Sequence, residues 1–379
     1  MKWLKSKYVV IAAVLVIVFV VTSGSFKLTL VDRAIIVGLA IDEAENGEIE
    51  LSAQIIVTIG SGESGTTSDT FSIVKGTGKT VIEGLSQILS KSAQFPSLAH
   101  CSAVIVSSSF AEKYDLKPIV EYLLRNTKIE ENTVFVCSEG RADEVLSEEI
   151  SISIVSAFAI EKIIAADKNF QKMSKGTLIE YYVSRYDDKP FYILPYVKLE
   201  EIVTEPGNSV GSEISSTKRI LSMDSSACFG KDTMVLTLDK KETEMINFVK
   251  KKFSKGIFEL DKDTAFELIE KKATAGCEMT EDGSFNAEVE IVIQLLSMKD
   301  NNSVKKENLT FEVTEEQIAQ LEGGWEQRLS DVFEKCRAYG LDAFGFYDSL
   351  SKKEGDKMKE HPDYLDKITL KTTVKVSLV

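Results

Sequence analysis

Residues 34–41 (AIIVGLAI) and 49–58 are two strand-length runs dominated by apolar residues. The loop between them ends in Asn46-Gly47, a strong hairpin signal. Residues 60–70 are rich in Gly, Ser and Thr and predict a loop. A short strand is predicted over 71–75. A helix follows over 80–94, with Val81, Ile82, Leu85, Ile88 and Leu89 on one side. Strands at 103–107 and 133–137 flank a helix at 116–126, where Asp115 is placed to cap and Pro118 sits in the first turn. Further helix is predicted over 153–166 and 177–184, so this half alternates strands and helices.

The pattern changes after residues 203–217 (VTEPGNSVGSEISST), which collect Pro, Gly, Ser and Asn. Asp239 and Glu242 form a capping box opening a helix with Met245, Ile246, Val249 and Phe253 on one face. Asp282-Gly283 joins two long runs, 266–279 and 284–297, as a hairpin; Val289, Ile291, Ile293 and Leu295 alternate with polar neighbours. Thr314 and Gln317 form a second capping box. The helix it opens carries Ile318, Leu321, Trp325, Leu329, Val332, Cys336 and Tyr339 at spacings of three and four, and Gly340 stops it. Residues 369–379 alternate as a final strand.

The fold class expected is α+β. A mixed α/β domain spans 26–205, a linker 206–217, and a C-terminal domain 218–379 in which an antiparallel sheet is packed by the long helix.

Residues 1–25 read as a signal or anchor segment. Lys2, Lys5 and Lys7 precede an unbroken apolar run over 8–21 (YVVIAAVLVIVFVV). Fourteen residues fit the apolar core of a signal sequence better than a full span. If the segment is retained, Phe26, Leu28 and Leu30 extend it toward anchor length. The lysines place the N-terminus inside and the body outside.

Charge narrows the partners. The 379-residue chain has 45 basic and 59 acidic side chains and a net charge of −14. Without the three N-terminal lysines, 42 basic face 59 acidic side chains, a net of −17. Such a body is repelled by phosphate backbones, so nucleic acid is not an expected partner. The run Lys250-Lys251-Lys252 suits a helix C-terminus.

The sequence predicts no catalytic, cofactor-binding or metal-ligating residue, and no enzyme. Cys101, Cys137, Cys228, Cys277 and Cys336 form no CxxC pair, and each lies in an apolar stretch as a small buried hydrophobe. His100 and His361 are far apart in sequence and form no zinc motif. Lys75-Gly76-Thr77-Gly78-Lys79-Thr80 resembles the end of a phosphate-binding loop, but Ile73 stands where that loop needs glycine. A capping box from Thr80 to Glu83, with glycines turning the chain into the helix, explains the run instead. Asp42–Glu48 imitates a calcium loop, yet Ala44 lacks an oxygen ligand and Ala53 replaces the closing glutamate.

Several segments together resemble the Ger(x)C family, the C subunits of spore nutrient germinant receptors. They begin with Asp32 to Asp42 (DRAIIVGLAID) and the strand after it. Gly78-Lys79-Thr80 at a helix start, Ala99-His100 before an apolar strand and Leu123-Leu124-Arg125-Asn126 closing a helix follow in order. Ala338 to Phe346 (AYGLDAFGF) and His361-Pro362 before the final strand complete the set. Two positions depart from the family pattern. Ser25 stands at the lipobox cysteine, and Asp363-Tyr364-Leu365 replaces a tryptophan often found after the proline. The resemblance implies a non-enzymatic, lipoprotein-like subunit needed for nutrient-triggered germination. It would work in a spore inner membrane with A-type and B-type membrane subunits. The alternative is a free-standing extracytoplasmic solute-binding or sensor ectodomain.

Overall fold

The computed structural model describes residues 33–57, 70–148, 150, 153–167, 176–204, 216–250, 255–259, 264–300 and 313–378. The predicted anchor at 1–25, the loop at 60–69 and residues 206–215 of the expected linker lie outside them. Among the described residues no helix is long and apolar enough to cross a membrane.

The fold is α+β. Strands β1 (Arg33–Glu43), β2 (Ile49–Val57) and β3 (Thr70–Gly78) form an antiparallel meander, and Gly47 supplies the left-handed backbone of its first turn at φ +78°. Helix α1 (Val81–Ser92) follows, then the short β4 (Phe95–Ser97), which pairs parallel with the start of β1. The chain next builds β5 (Ala103–Ser107), α2 (Ser108–Lys113), α3 (Lys117–Asn126) and β6 (Val134–Ser138). Then come α4 (Ala142–Ser147), α5 (Ser156–Ala166), α6 (Leu178–Ser184) and β7 (Tyr192–Thr204). Strands β1, β5, β6 and β7 are parallel neighbours, as helical crossovers require.

The larger sheet takes in strands from both sides of the expected linker. Strand β8 (Ser216–Phe229) pairs antiparallel with β7 up to Thr204↔Ser216, and β9 (Met234–Leu238) adds the outer edge. The described sheet runs β3-β2-β1-β5-β6-β7-β8-β9 with β4 alongside β1. Both faces are covered. Ala34, Ile36, Leu39 and Ile41 of β1 face a core shared with α1 and α3, while Val37 and Ala40 face α4 and α5. A register irregularity between Ile36 and Gly38 is where the facing parity switches.

Helix α7 (Lys240–Val249) is opened by the predicted capping box. Asp239 Oδ1 accepts the Glu242 N–H at 2.9 Å, and Glu242 Oε2 accepts the Asp239 N–H at 2.8 Å. The second sheet holds β10 (Lys255–Glu259), β11 (Thr264–Met279), β12 (Phe285–Asp300) and β13 (Ile368–Leu378). Its first three strands are antiparallel, as expected; β13 instead runs parallel to β12. The physical reason is the long crossover. Helix α8 (Glu315–Arg337) takes the chain back along the sheet, so the next strand enters in the same sense as β12. Helix α9 (Phe346–Glu354) precedes β13.

The two parts share a core. Phe191, just before β7, and Ile193, Cys228 and Leu238 of the larger sheet pack with Met245 and Phe248 of α7 and with Trp325 and Leu329 of α8. Leu321, Trp325, Leu329, Val332 and Cys336 are buried along α8, as their spacing predicts. Tyr339 is exposed, because the helix ends at Arg337 and the chain leaves helical phase before reaching it.

Candidate functional site

In an open sheet with parallel strands, ligands sit beyond the carboxyl ends where the strand order reverses. Here that point lies between β1 and β5. Asp42, at the end of β1, is buried and occupies it. Its Oδ1 accepts the Ala142 N–H at 2.9 Å and its Oδ2 the Asp143 N–H at 3.0 Å, so the carboxylate takes the first free amides of α4.

Four more charged side chains complete the cluster. Arg141 Nε donates to Asp143 Oδ1 at 2.8 Å, and the same guanidinium pairs with Glu50. Lys75 pairs with Asp143 and lies 3.3 Å from Glu50. Burial pushes the Asp42 carboxyl above its usual range, against the pull of the α4 amides and Arg141. Burial also acts to raise Asp143, but Lys75 and Arg141 outweigh it and hold that carboxyl below its usual range. Asp42, Glu50 and Asp143 offer ligand atoms within 4.8 Å of one another, the one such trio among the described residues. Lys75 and Arg141 already supply its positive charge, and an incoming cation would have to displace them. The arrangement closes the switch point from within.

The phosphate-loop look-alike also has a packing role. Gly76 and Gly78 lie at the end of β3 itself, so they do not make the turn into the helix. They let α1 approach: a Cβ on Gly76 would fall 2.1 Å from the Gly84 carbonyl oxygen. Thr80 caps α1 by accepting the Glu83 N–H at 3.3 Å, while Glu83 reaches back to the Lys79 N–H at 2.8 Å. The calcium-loop look-alike is a hairpin turn, with Glu43 tied to Lys113 and to the Tyr114 hydroxyl. All five cysteines are free and buried. Burial pushes the Cys101 thiol up to about 12, far from a reactive range. His100 is exposed at a cleft with Glu130 and Glu161, whereas His361 lies edge-on to Phe285 with ring centres 5.6 Å apart.

Two polar centres had no sequence signal strong enough to single them out. Asp342 accepts N–H bonds from Gly345 at 2.9 Å, Phe346 at 2.9 Å and Tyr347 at 2.7 Å, and the Tyr364 hydroxyl at 2.8 Å. It joins the end of the AYGLDAFGF segment to the Asp363-Tyr364-Leu365 segment. Arg185, whose side chain is 4% exposed, donates to the Gly230 carbonyl at 2.8 Å and reaches Asp115 at 3.4 Å and Asp232 at 3.3 Å. It borders a cleft of about 650 Å³ that also touches Tyr339 and Leu341. Across that junction Lys189 Nζ donates to the Pro362 carbonyl at 3.1 Å. Such ties hold elements together; none presents a nucleophile beside a general base.

These features define a two-sheet α+β protein whose polar clusters bind its own elements. Residues 27–199 match the family described as spore germination protein N-terminal domain, and residues 224–379 match spore germination B3/GerAC like, C-terminal. The chain belongs to the Ger(x)C family. The two matched segments meet inside the larger sheet, one ending in β7 and the next beginning in β8. Among solved structures, the one described as "Crystal Structure of the GerBC protein" is similar at a TM-score of 0.53 and 15% identity. The match covers 90% of this chain and 97% of that one. At that identity the likeness speaks for the fold. No curated protein sequence matches the chain.

Proposed function

We propose that this chain is the non-enzymatic C subunit of a germinant receptor, completing a membrane complex with A-type and B-type subunits on the outer face of the spore inner membrane. The observation that carries it is the pair of family segments, which together span nearly the whole body in order. The geometry supports the same reading. The switch point that ligands use in open α/β sheets is filled by the chain's own Asp42, and burial pushes the Cys101 thiol up to about 12. In this reading residues 1–25 deliver or tether the body, and 206–217 links an N-terminal domain, 26–205, to a C-terminal domain, 218–379.

Contact with the partners rests on a specific surface, because a body with a net charge of −17 gains nothing from anionic lipid at long range. Moderate salt therefore leaves the complex intact. The test is affinity purification of the tagged protein from detergent-solubilised spore membranes, with germination of a deletion strain assayed in parallel. Co-purification of an A-type or B-type subunit, and loss of response to one class of germinant, are expected. Neither partner recovered, together with normal germination on all nutrients, would overturn the proposal in favour of a free-standing ectodomain.

A further inference from the structure

The second sheet ends on β13, its outer strand among the described residues. An outer strand turns a row of backbone N–H and C=O groups away from its sheet, a template for another chain to pair with. This one is also built to pair. Its sequence, ITLKTTVKVSL, is rich in β-branched side chains and holds no proline or glycine.

Helix α8 deals with that edge. Glu326 Oε1 accepts the Val374 N–H at 3.0 Å, and Glu322 Oε1 accepts the Val376 N–H at 2.8 Å. At the other end of the strand Arg337 Nη1 donates to the Ile368 carbonyl at 3.1 Å. All three backbone groups belong to even-numbered residues. In a strand the N–H and C=O of one residue point to the same side and those of the next residue to the opposite side. The even positions of β13 are therefore the ones turned away from β12.

The spacings match. Glu322 and Glu326 lie about one helical turn apart, roughly 6 Å along the axis. Val374 and Val376 are two strand residues apart, about 6.6 Å. Each glutamate directly follows a buried residue, Leu321 or Trp325, so the face of α8 that packs on the sheet brings its flank to the edge. Thr372 Oγ1 donates to the Glu326 carbonyl at 3.3 Å, which sets the helix backbone itself against the strand. Two carboxylate oxygens thus stand where the carbonyls of a further strand would stand.

We propose that Glu322 and Glu326 act as a surrogate strand that keeps the β13 edge from pairing with the same edge of a second copy of this chain. A second copy fits because the edge is self-complementary. Two β13 strands brought antiparallel about a two-fold axis would offer outward amides to each other's outward carbonyls. This closure belongs to the chain alone and holds whether or not it sits in a receptor.

Light scattering from the full chain in detergent, without partner subunits, reads the protein mass per particle. Glu322→Ala with Glu326→Ala should at least double that mass relative to the parent at equal concentration. Glu322→Gln with Glu326→Gln should keep the parent's mass, because a carboxamide oxygen still accepts the two amides. Val376→Pro added to the alanine pair should return it to the parent's mass: proline has no N–H to offer a new strand, and position 376 gives none to β12. Far-UV circular dichroism checks each chain for the parent's secondary structure. Should the alanine pair fail to fold, Glu322→Ala alone frees only the Val376 amide and is read in the same way. A folded alanine variant of parental mass would overturn the proposal. So would a glutamine pair that associates as the alanine pair does, since lost charge would then be the cause. Association that survives Val376→Pro would overturn it too, because another surface would be in use. None of these results bears on co-purification with the A-type and B-type subunits, so the two proposals fail separately.

Discussion

Asp342 Oδ2 accepts the Tyr364 hydroxyl at 2.8 Å, joining two segments 22 residues apart. The same carboxylate caps the first turn of α9 through three backbone amides. Tyr364 is 1% exposed, and burial together with the Asp342 carboxylate holds its phenol far above the usual range. The phenol is thus a permanent donor. It supplies a bond to Asp342 through oxygen.

Tyr364→Phe removes one charge-assisted bond and should cost about 1.5–3 kcal/mol. Asp342→Ala should cost more, because it leaves the phenol and three amides without their acceptor. Chemical denaturation of the detergent-solubilised chain reads both. If Tyr364→Phe proves as stable as the parent, the hydroxyl is not holding the two segments together.

Trp325 is 1% exposed and meets Phe248 edge-on with ring centres 4.4 Å apart. It lies on the α8 face turned to the second sheet and α7. Trp325→Ala should lower stability by about 3–5 kcal/mol, the usual cost of truncating a large core aromatic. A loss below about 1 kcal/mol would mean that the core closes over the gap or that this face is not a core face.

The α8 face was legible because helical spacing and a capping box agree: Leu321, Trp325, Leu329 and Val332 recur by threes and fours behind Thr314 and Gln317. The β1–β2 and β11–β12 hairpins were legible through their Asn-Gly and Asp-Gly turns. The parallel entry of β13 was not, since alternation in a strand says which face a residue takes but not the direction of its neighbour. Polar centres were hidden for a related reason. Asp42 meets Ala142 across 100 positions, and Arg185 meets Gly230 across 45. Nothing local in the sequence distinguishes such a side chain from a solvated one. In Lys75 to Thr80 the Thr80 cap was legible from local sequence, whereas the glycines expected to turn the chain into the helix lie within β3.

Millimolar Ca²⁺ or Mg²⁺ should leave the melting temperature unchanged, because Lys75 and Arg141 are already paired with the Asp42, Glu50 and Asp143 trio and would have to be displaced. A rise of several degrees on adding either ion would identify that trio as a cation site. Asp42→Ala should lower stability by about 1–3 kcal/mol by orphaning two buried amides at the start of α4.

Ser25, outside the described residues, stands where the family resemblance would place a lipidated cysteine, and serine has no thiol to receive a diacylglyceryl group. Cells fed a tagged fatty acid should show no label on this protein. Ser25→Cys should acquire it, given the small residues already flanking the site. Label on the parent chain would show that lipid is attached elsewhere.

Glu290 gives the clearest dependence on pH. On the second sheet its two carboxylate oxygens meet Lys272 at 2.8 Å on β11 and Lys375 at 3.0 Å on β13, so one acid bridges three strands. Hydrogen bonds from Lys272 and then Lys375 hold its pKa at about 2, against an ordinary value of 4.5. A carboxyl whose folded pKa is depressed stabilises the fold when ionised. That contribution is complete above pH 4.5 and is lost as pH falls from there toward 2. Its size is modest because the group is solvent-facing, and salt weakens it further. Glu290→Gln should therefore melt slightly below the parent at pH 7, and the gap should close as the pH is lowered through this window. At 1 M salt the two should converge even at pH 7. A gap that stays constant from pH 7 to pH 2 would show that the substitution acts through packing and not through the bridge.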